Sequence, residues 1–90
     1  MTVTFTKSFE RSLKTSDQPE LVRASVKRLL LALEEQVKPE GLGLKKLRAD
    51  LWEIRVTRAW RVIFLMRPGE VRLVLVGDHD AIQRYLKHNA

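Results

Sequence analysis

The chain has 90 residues, which suffices for one hydrophobic core, and we assign residues 1–90 to a single domain. Its composition, 44% hydrophobic and 31% charged without cysteine, argues against a disordered chain, a disulfide framework and a thiolate metal site. Seventeen Lys and Arg against eleven Asp and Glu give a net charge of +6, which favours an anionic partner such as nucleic acid or an acidic protein. With two histidines and no apolar run of about 20 residues, we expect no metal, no other cofactor and no membrane contact, and a cytoplasmic location.

The N-terminal residues predict a short strand followed by a helix. Residues 3–5 alternate in polarity, as in a strand. Apolar side chains then recur at every fourth position, which predicts a short amphipathic helix: Phe5, Phe9 and Leu13. Either Thr6 or Ser8 can cap this helix, because a side-chain hydroxyl at the N-terminus accepts a hydrogen bond from a free backbone N–H.

A second helix is predicted over residues 19–37. Ser16 or Asp17 can cap it, Pro19 suits its first turn, and the segment KPEGLG stops it with one proline and two glycines. A wide apolar stripe runs along this helix: Leu21, Val22, Val26, Leu29, Leu30, Leu33 and Val37. Because a short connection joins the two helices, we expect a helical hairpin.

After residue 50 the apolar period changes from 3.6 to 2 residues, which predicts strands. Three strands are expected, over residues 52–56, 60–66 and 71–76. The third is apolar on both faces near its end, and Asp78 or Asp80 after it can cap a last helix. The element order is then β-α-α-β-β-β-α. This order predicts an α+β fold, with a small, mainly antiparallel sheet and the helices, including the helical hairpin, packed on one face.

Two arginines, Arg55 and Arg61, flank the first turn between these strands, and the register decides whether they meet. A three-residue loop over residues 57–59 keeps all apolar side chains on one face, whereas a two-residue loop mixes apolar and charged side chains. The apolar face then consists of Trp52, Ile54, Val56, Trp60, Val62 and Phe64. We therefore expect Arg55 opposite Arg61 on the other face. Because like charges in this position repel, the pair indicates an anion between them. Alternatively, Glu53 on the same strand, or an acidic side chain of a helix, neutralises them on a solvated surface.

The positive charge is concentrated around these strands. Residues 42–72 contain eight basic and three acidic side chains, so this segment carries +5 of the net +6. A concentrated cationic surface is what binding of a phosphate backbone requires. Four basic residues outside the strands are candidates for such phosphate contacts, three in the segment before the strands and one at the bend: Lys45, Lys46, Arg48 and Arg58.

The segments GLGLKKLRADLWEIRVTRAWRVIF and VRLVLVGDHDAIQRYLK together resemble the RelE/ParE superfamily of bacterial toxins from type II toxin–antitoxin systems. The resemblance covers nearly the whole chain, from the first strand through the helical hairpin, the basic loop and the three strands to the last helix. It implies a RelE-like fold and a toxin that inhibits translation as a metal-independent endoribonuclease of mRNA on the ribosome. It also implies an antitoxin partner with an acidic toxin-binding segment.

The resemblance implies catalytic roles for individual residues. Arg61, in the segment AWRV, matches the catalytic arginine of the family. Two and eight residues after Gly77, His79 and Tyr85 stand at the positions of a catalytic basic residue and a tyrosine. We expect Arg55 to join Arg61 in stabilising the charge that develops on the phosphate oxygens. Histidine readily gains or loses a proton near neutral pH, so His79 suits an acid or a base.

The chain departs from the family pattern in two places. His79 stands where some members have arginine, and the basic loop has lysines where the YoeB-like branch has a glutamate general base. We therefore expect no YoeB-like glutamate mechanism, and a contribution from Glu53 stays open. The family lysines that contact RNA are matched here by Lys45, Lys46 and Arg48.

Two other functions are compatible with the sequence. A ParE-like protein has the same fold but inhibits DNA gyrase without hydrolysing anything. A noncatalytic RNA-binding module is the third alternative, because the last five elements follow the order of a double-stranded RNA-binding domain. That module opens its last helix with lysines, whereas the segment GDHDAIQRYLK opens with acids, so we rank it last.

Overall fold

The structure, a computed structural model, describes residues 1–89. The elements in chain order are β1 (Thr2–Phe5), α1 (Lys7–Thr15), α2 (Pro19–Glu34), β2 (Lys45–Arg48), β3 (Leu51–Arg55), β4 (Arg61–Arg67), β5 (Glu70–Gly77) and α3 (His79–His88). Within these residues, three helices and one five-stranded sheet confirm the predicted α+β class. The order differs from the prediction by β2, which occupies the segment predicted as a basic loop.

The strands lie in the order β1-β5-β4-β3-β2. β1 runs parallel to β5, and the other neighbouring pairs are antiparallel, which confirms the mainly antiparallel sheet. β2 is an edge strand, so its hydrogen bonds to the sheet lie on one side only, and lysine is common on such edges. Its sequence, KKLR, has one apolar residue, which is why the hydrophobic pattern alone predicts a loop there.

α1 and α2 pack on one face of the sheet, and the principal core lies between them and the strands. The buried side chains of this core are Phe9, Val22, Val26, Leu29, Leu42, Ile54, Val62, Phe64, Val71, Leu73 and Val76. Trp52, Val56 and Trp60 pack at its border and are partly buried. The apolar face predicted for the strands is therefore confirmed, because all six of its side chains belong to this core or its border.

Thr6 fixes the start of α1 and ties the helix to β5. Its Oγ1 accepts a hydrogen bond from the N–H of Phe9 at 3.1 Å, which identifies Thr6 rather than Ser8 as the cap. The Thr6 hydroxyl also donates to the carbonyl of Leu73 at 3.0 Å, and the Ser8 hydroxyl donates to that of Val74 at 2.8 Å. These side chains satisfy backbone acceptors of β5 where β1 has ended.

α2 ends at Glu34 rather than at residue 37 as predicted. Gln36 has a φ of 58°, which turns the chain out of the helix. Val37 is consequently 53% exposed and takes no part in the apolar stripe.

The predicted caps of α2 are wrong. Its N-cap is Gln18, whose side chain makes no capping hydrogen bond, and neither Ser16 nor Asp17 takes that place. Ser16 instead closes α1, since its backbone N–H and its hydroxyl both donate to the carbonyl of Leu13, at 3.2 and 2.9 Å.

α3 packs on the opposite face of the sheet, whereas the sequence predicts all helices on one face. The reason is a second apolar cluster: Leu51, Ile63, Val74 and Ile82, bordered by Leu47, Leu65, Leu75, Tyr85 and Leu86. A bulge in β5 adds to it, because Val74 is an extra residue opposite the Ile63–Phe64 step of β4. None of the helices in residues 1–89 has the length and apolar character that crossing a bilayer requires.

Candidate functional site

The β3–β4 hairpin has the predicted register. β3 ends at Arg55 and β4 begins at Arg61. Beyond them the Val56 N–H donates to the Trp60 carbonyl at 2.9 Å, which leaves a loop of residues 57–59, and the Trp60 N–H donates to Thr57 Oγ1 at 3.0 Å. Arg55 lies directly opposite Arg61. Since the tryptophan face is covered by α1 and α2, the two arginine side chains lie on the other face, which α3 covers in part.

The arginine pair lies at the end of the sheet where α3 begins. Arg61 is opposite Gly77, the last residue of β5. Asp78, one of the two predicted candidates, then caps α3 by accepting a hydrogen bond from the Ala81 N–H at 2.8 Å. A Cβ at Gly77 would lie 2.8 Å from the Ala81 Cβ, so the chain needs glycine for this close turn. The turn brings His79, the first residue of α3, next to Arg61.

Arg61 lies between an acid and a histidine. Its Nη1 is 3.8 Å from Glu53 Oε2 and 3.5 Å from His79 Nδ1. The Glu53 side chain is 7% exposed and the Arg61 side chain 20%, whereas His79 is exposed. For Nη1 to donate to Nδ1, the histidine must be neutral with its proton on Nε2. The two predicted catalytic residues Arg61 and His79 are therefore in contact, with Glu53 beneath them.

The two lysines of β2 lie on opposite faces of the sheet. Lys45 pairs with Glu53 and so belongs to the face of the arginine pair. Lys46 pairs with Trp52 and places its Nζ 5.8 Å from the ring centroid, on the face of the helical hairpin. The structure therefore separates two residues that the sequence groups together. Only Lys45 lies beside the arginine pair.

Arg48 and Arg58, the other two predicted RNA-binding residues, lie in different surroundings. Arg48 Nη2 donates to the carbonyls of Leu86 and Asn89, at 2.8 and 3.0 Å. This guanidinium thus satisfies free backbone acceptors at the C-terminus of α3. Arg58 is exposed in the β3–β4 loop, close in sequence to the arginine pair.

Tyr85 is not part of the cluster around Arg61. It follows His79 by six residues, which corresponds to about 9 Å along the helix axis. Its side chain packs against the second apolar cluster and lines a cavity of about 330 Å³ with Leu51 and Leu65, at the opposite ends of their strands from the arginine pair. The structure therefore brings Arg55, Arg61 and His79 together, and leaves Tyr85 apart.

Two glycines shape the site, and neither role was predicted from the sequence. Gly77 allows α3 to start close to β5, as described above. Gly43 has a φ of 60°, and a Cβ there would lie 3.2 Å from the Arg55 Cβ. Next to it, the Leu42 carbonyl accepts a hydrogen bond from the Arg55 N–H at 2.7 Å. The one sequence feature that points to Gly43 is the segment GLG, whose two glycines were interpreted only as the end of the second helix.

The cluster offers charge stabilisation and proton transfer on one surface. Three cationic side chains, Lys45, Arg55 and Arg61, lie around the carboxylate of Glu53 on one face of the sheet. A planar guanidinium binds phosphate oxygens with two parallel hydrogen bonds, and an adjacent imidazole can exchange a proton. Residues 1–89 contain no group of three or more His, Asp or Glu side chains arranged to hold a metal ion.

Neither a protein-family model nor a curated protein matches this sequence. Solved structures do match it. A chain of the E. coli DinJ-YafQ complex superimposes with a TM-score of 0.69 at 16% identity, over 89% of this chain and 94% of that one. The YoeB dimer from Staphylococcus aureus gives a TM-score of 0.67 at 15% identity, over 88% and 97%. The RelB-RelE antitoxin-toxin complex from Methanococcus jannaschii gives 0.68 at 19% identity, over 91% and 96%.

These matches define the fold. The chain has the fold shared by YafQ, YoeB and RelE-type proteins, with nearly full coverage on both sides. The resemblance that the two sequence segments carry is thereby confirmed at the level of the fold. The arginine pair and His79 lie at one end of the sheet of this fold.

Proposed function

We propose that the protein is the toxin of a toxin–antitoxin system and that it cleaves translated mRNA without a metal ion. The observation that carries this proposal is the register that sets Arg55 opposite Arg61, with Lys45 on the same face and His79 in contact with Arg61. Two guanidinium groups opposite each other on a sheet repel each other. Within residues 1–89, Glu53 approaches only Arg61, at 3.8 Å, and three cations surround it, so a bound phosphate would offset the remaining repulsion. The RelE-like fold supports RNA as the source of that anion.

The chemistry follows from these groups. A ribose 2′-hydroxyl loses its proton and its oxygen attacks the adjacent phosphorus, while the bond from phosphorus to the 5′-oxygen breaks and that oxygen takes up a proton. The products are a 2′,3′-cyclic phosphate and a free 5′-hydroxyl. Arg61 and Arg55 stabilise the negative charge that builds on the non-bridging oxygens, which is usually the largest contribution to such catalysis. His79 serves as the acid or the base, a role worth about 10²–10⁴-fold.

Among the predicted RNA-binding residues, Lys45 and Arg58 have the best positions. Lys45 lies beside the arginine pair and Arg58 is exposed in the adjoining loop. Both suit contacts with phosphates next to the cleaved one. Lys46 lies on the other face and Arg48 is bonded to the end of α3, so we assign them to contacts farther along the RNA. A catalytic role of Tyr85 stays a prediction that requires α3 to move.

The proposal includes an antitoxin partner. The net charge of +6 attracts an acidic protein segment, and the RelB-RelE structure is described as an antitoxin-toxin complex. An open, mainly apolar groove of about 480 Å³ lies between α1 and α2, and two of its side chains, Phe5 and Leu31, are about half exposed. An amphipathic helix of the antitoxin suits this groove. Co-purification with the product of the adjoining reading frame tests this part.

The test of the proposed function is an Arg61→Ala variant. Expression of the unaltered protein in bacteria is expected to stop translation and cleave mRNA, and the variant is expected to lose at least about 10²-fold in cleavage rate on translating ribosomes. Arg67→Ala is the matched control, because Arg67 ends the same strand but pairs with Asp50 at 3.0 Å, away from the site. Thermal unfolding checks that both variants are folded.

Two results contradict the proposal. If Arg61→Ala stays fully toxic, the arginine pair is not the site. If the unaltered protein leaves mRNA intact but induces the DNA damage response and blocks replication, the protein is a gyrase inhibitor of the ParE type. An RNA affinity that falls with salt, without any effect on growth, identifies a noncatalytic binding module.

A further inference from the structure

The most unusual residue of the site is Glu53. It is 5% exposed and is the one buried charged residue within residues 1–89. No hydrogen bond from the described residues reaches its carboxylate, and its ion contact is the 3.8 Å approach of Arg61 Nη1. Burial of a carboxylate is unfavourable unless cations or hydrogen bonds compensate for the lost water. Its negative charge also opposes the binding of a phosphate. The burial of this carboxylate and its repulsion of a phosphate are both unfavourable, so Glu53 is expected to have a compensating role in the site.

We propose that Glu53 is a positioning residue, which holds the Arg61 guanidinium in the orientation that receives the scissile phosphate. This inference rests on the proposed function. Glu53 precedes Arg55 by two residues on β3, so the two side chains share a face, and Arg61 lies opposite Arg55. The carboxylate therefore lies diagonally across from Arg61, on its buried side, while His79 lies on its exposed side.

Arg61 needs such support. Its long side chain has many rotamers, and the guanidinium of Arg55 on the opposite strand repels it. Arg61 Nε is buried and has no hydrogen-bond partner within residues 1–89, so the protein holds this guanidinium by Nη1 alone. Nη2 makes no hydrogen bond to the described residues and stays available to bind an anion. Glu53 thus directs one end of the guanidinium inward and leaves the other end for the ligand.

Lys45 completes the arrangement. It lies opposite Glu53 on β2, so the carboxylate has a cation on each side across the sheet. The surface keeps a cationic excess in spite of Glu53, because Lys45, Arg55 and Arg61 all lie around it. A purely neutralising carboxylate needs no burial, whereas one that orients a guanidinium gains strength from exclusion of water.

The experiment compares Glu53→Gln, which keeps the side-chain size and removes the charge, with Glu70→Gln. Glu70 is the matched control, because its carboxylate lies 2.9 Å from Arg72 Nη2 on β5, away from the site. The ¹⁵N relaxation of the arginine Nε–Hε groups is measured in the protein without RNA. We expect the Arg61 signal to become as mobile as that of exposed arginines in Glu53→Gln and to stay unchanged in Glu70→Gln.

Cleavage kinetics provide the second measurement. A lost orientation of Arg61 lowers kcat, by about tenfold, and leaves KM nearly unchanged, because the interaction is made mainly in the transition state. If Glu53→Gln does not fold, Glu53→Asp replaces it. Aspartate keeps the negative charge, but its side chain is one methylene shorter, so the carboxylate lies farther from Arg61. The same loss of order at the Arg61 guanidinium is therefore expected.

An Arg61 Nε–Hε group as ordered in the Glu53 variant as in the unaltered protein overturns the inference. The relaxation measurement needs no RNA, so it decides the role of Glu53 even if the unaltered protein cleaves nothing. Absence of cleavage by the unaltered protein is instead a failure of the proposed function. The two failures are therefore distinguishable.

Discussion

Replacement of Gly77 by alanine tests how tightly β5 and α3 are joined. The added Cβ would lie 2.8 Å from the Ala81 Cβ, whereas carbon atoms in contact prefer about 3.5–4.0 Å. α3 must therefore shift by about 1 Å or distort its first turn. Overpacking of this kind typically costs about 1–3 kcal/mol of unfolding free energy. For a domain of this size, 1 kcal/mol lowers Tm by about 4–8 °C.

The measurement is urea unfolding of Gly77→Ala, Ala81→Gly and the double variant. Ala81→Gly alone is expected to cost up to about 1 kcal/mol through helix propensity. In the double variant the two methyl groups no longer meet, so a coupling of about 1–2 kcal/mol is expected in the cycle. A Gly77→Ala protein as stable as the unaltered one, or a cycle without coupling, refutes the steric reasoning.

The same variants report on the site. Because α3 begins with His79, a shift of the helix changes the contact between His79 and Arg61. RNA cleavage is therefore expected to fall in Gly77→Ala and to recover in the double variant. Recovery of stability without recovery of cleavage would show that the contact is not needed for the reaction.

Two further predictions concern the edges of the sheet. Lys45→Ala is expected to weaken RNA binding and to reduce its salt dependence by about one phosphate contact, whereas Lys46→Ala on the other face has a much smaller effect. Filter binding at several salt concentrations measures both variants, and equal effects would contradict the separation of the two faces. Ser12→Ala removes the hydroxyl that accepts a hydrogen bond from the Val76 N–H at 2.9 Å, and it is expected to lower the unfolding free energy by about 1–3 kcal/mol. The control Thr15→Ala, at the exposed end of the same helix, is expected to change this free energy by less than about 0.5 kcal/mol. Equal urea midpoints of the two variants would exclude this role of Ser12.

The alternating hydrophobic pattern was sufficient to predict the β3–β4 hairpin and its register. A shift by one residue would have placed Ile54 and Val62 among charged side chains, so the pattern left one acceptable pairing. An aspartate cap of α3 followed in the same way from local chemistry, which left Asp78 and Asp80 as candidates, and the structure selects Asp78. These features depend on interactions between residues close in sequence, and such interactions are visible in a single chain.

The features that could not be predicted depend on contacts distant in sequence. β2 is a strand because β3 offers hydrogen bonds at its edge, and its side chains carry no periodic signal. α3 covers the second face because Leu51, Ile63 and Val74 meet there, although each of them belongs to a different strand. For the site, the pattern predicted the arginine pair but not the burial of Glu53 beneath Arg61. Glu53 pairs with Lys45 of β2, the strand that the hydrophobic pattern does not predict.

The parallel pairing of β1 with β5 constrains how the chain is made. Thr2 is paired with Glu70, 68 positions later in the chain (70 minus 2). β1 therefore cannot pair with β5 until those 68 further residues have been synthesised. The N-terminal segment and the apolar side of α1 therefore emerge from the ribosome before the strand that covers them exists. During that interval they are accessible to chaperones and proteases, and the nascent protein cannot yet assemble its five-stranded sheet.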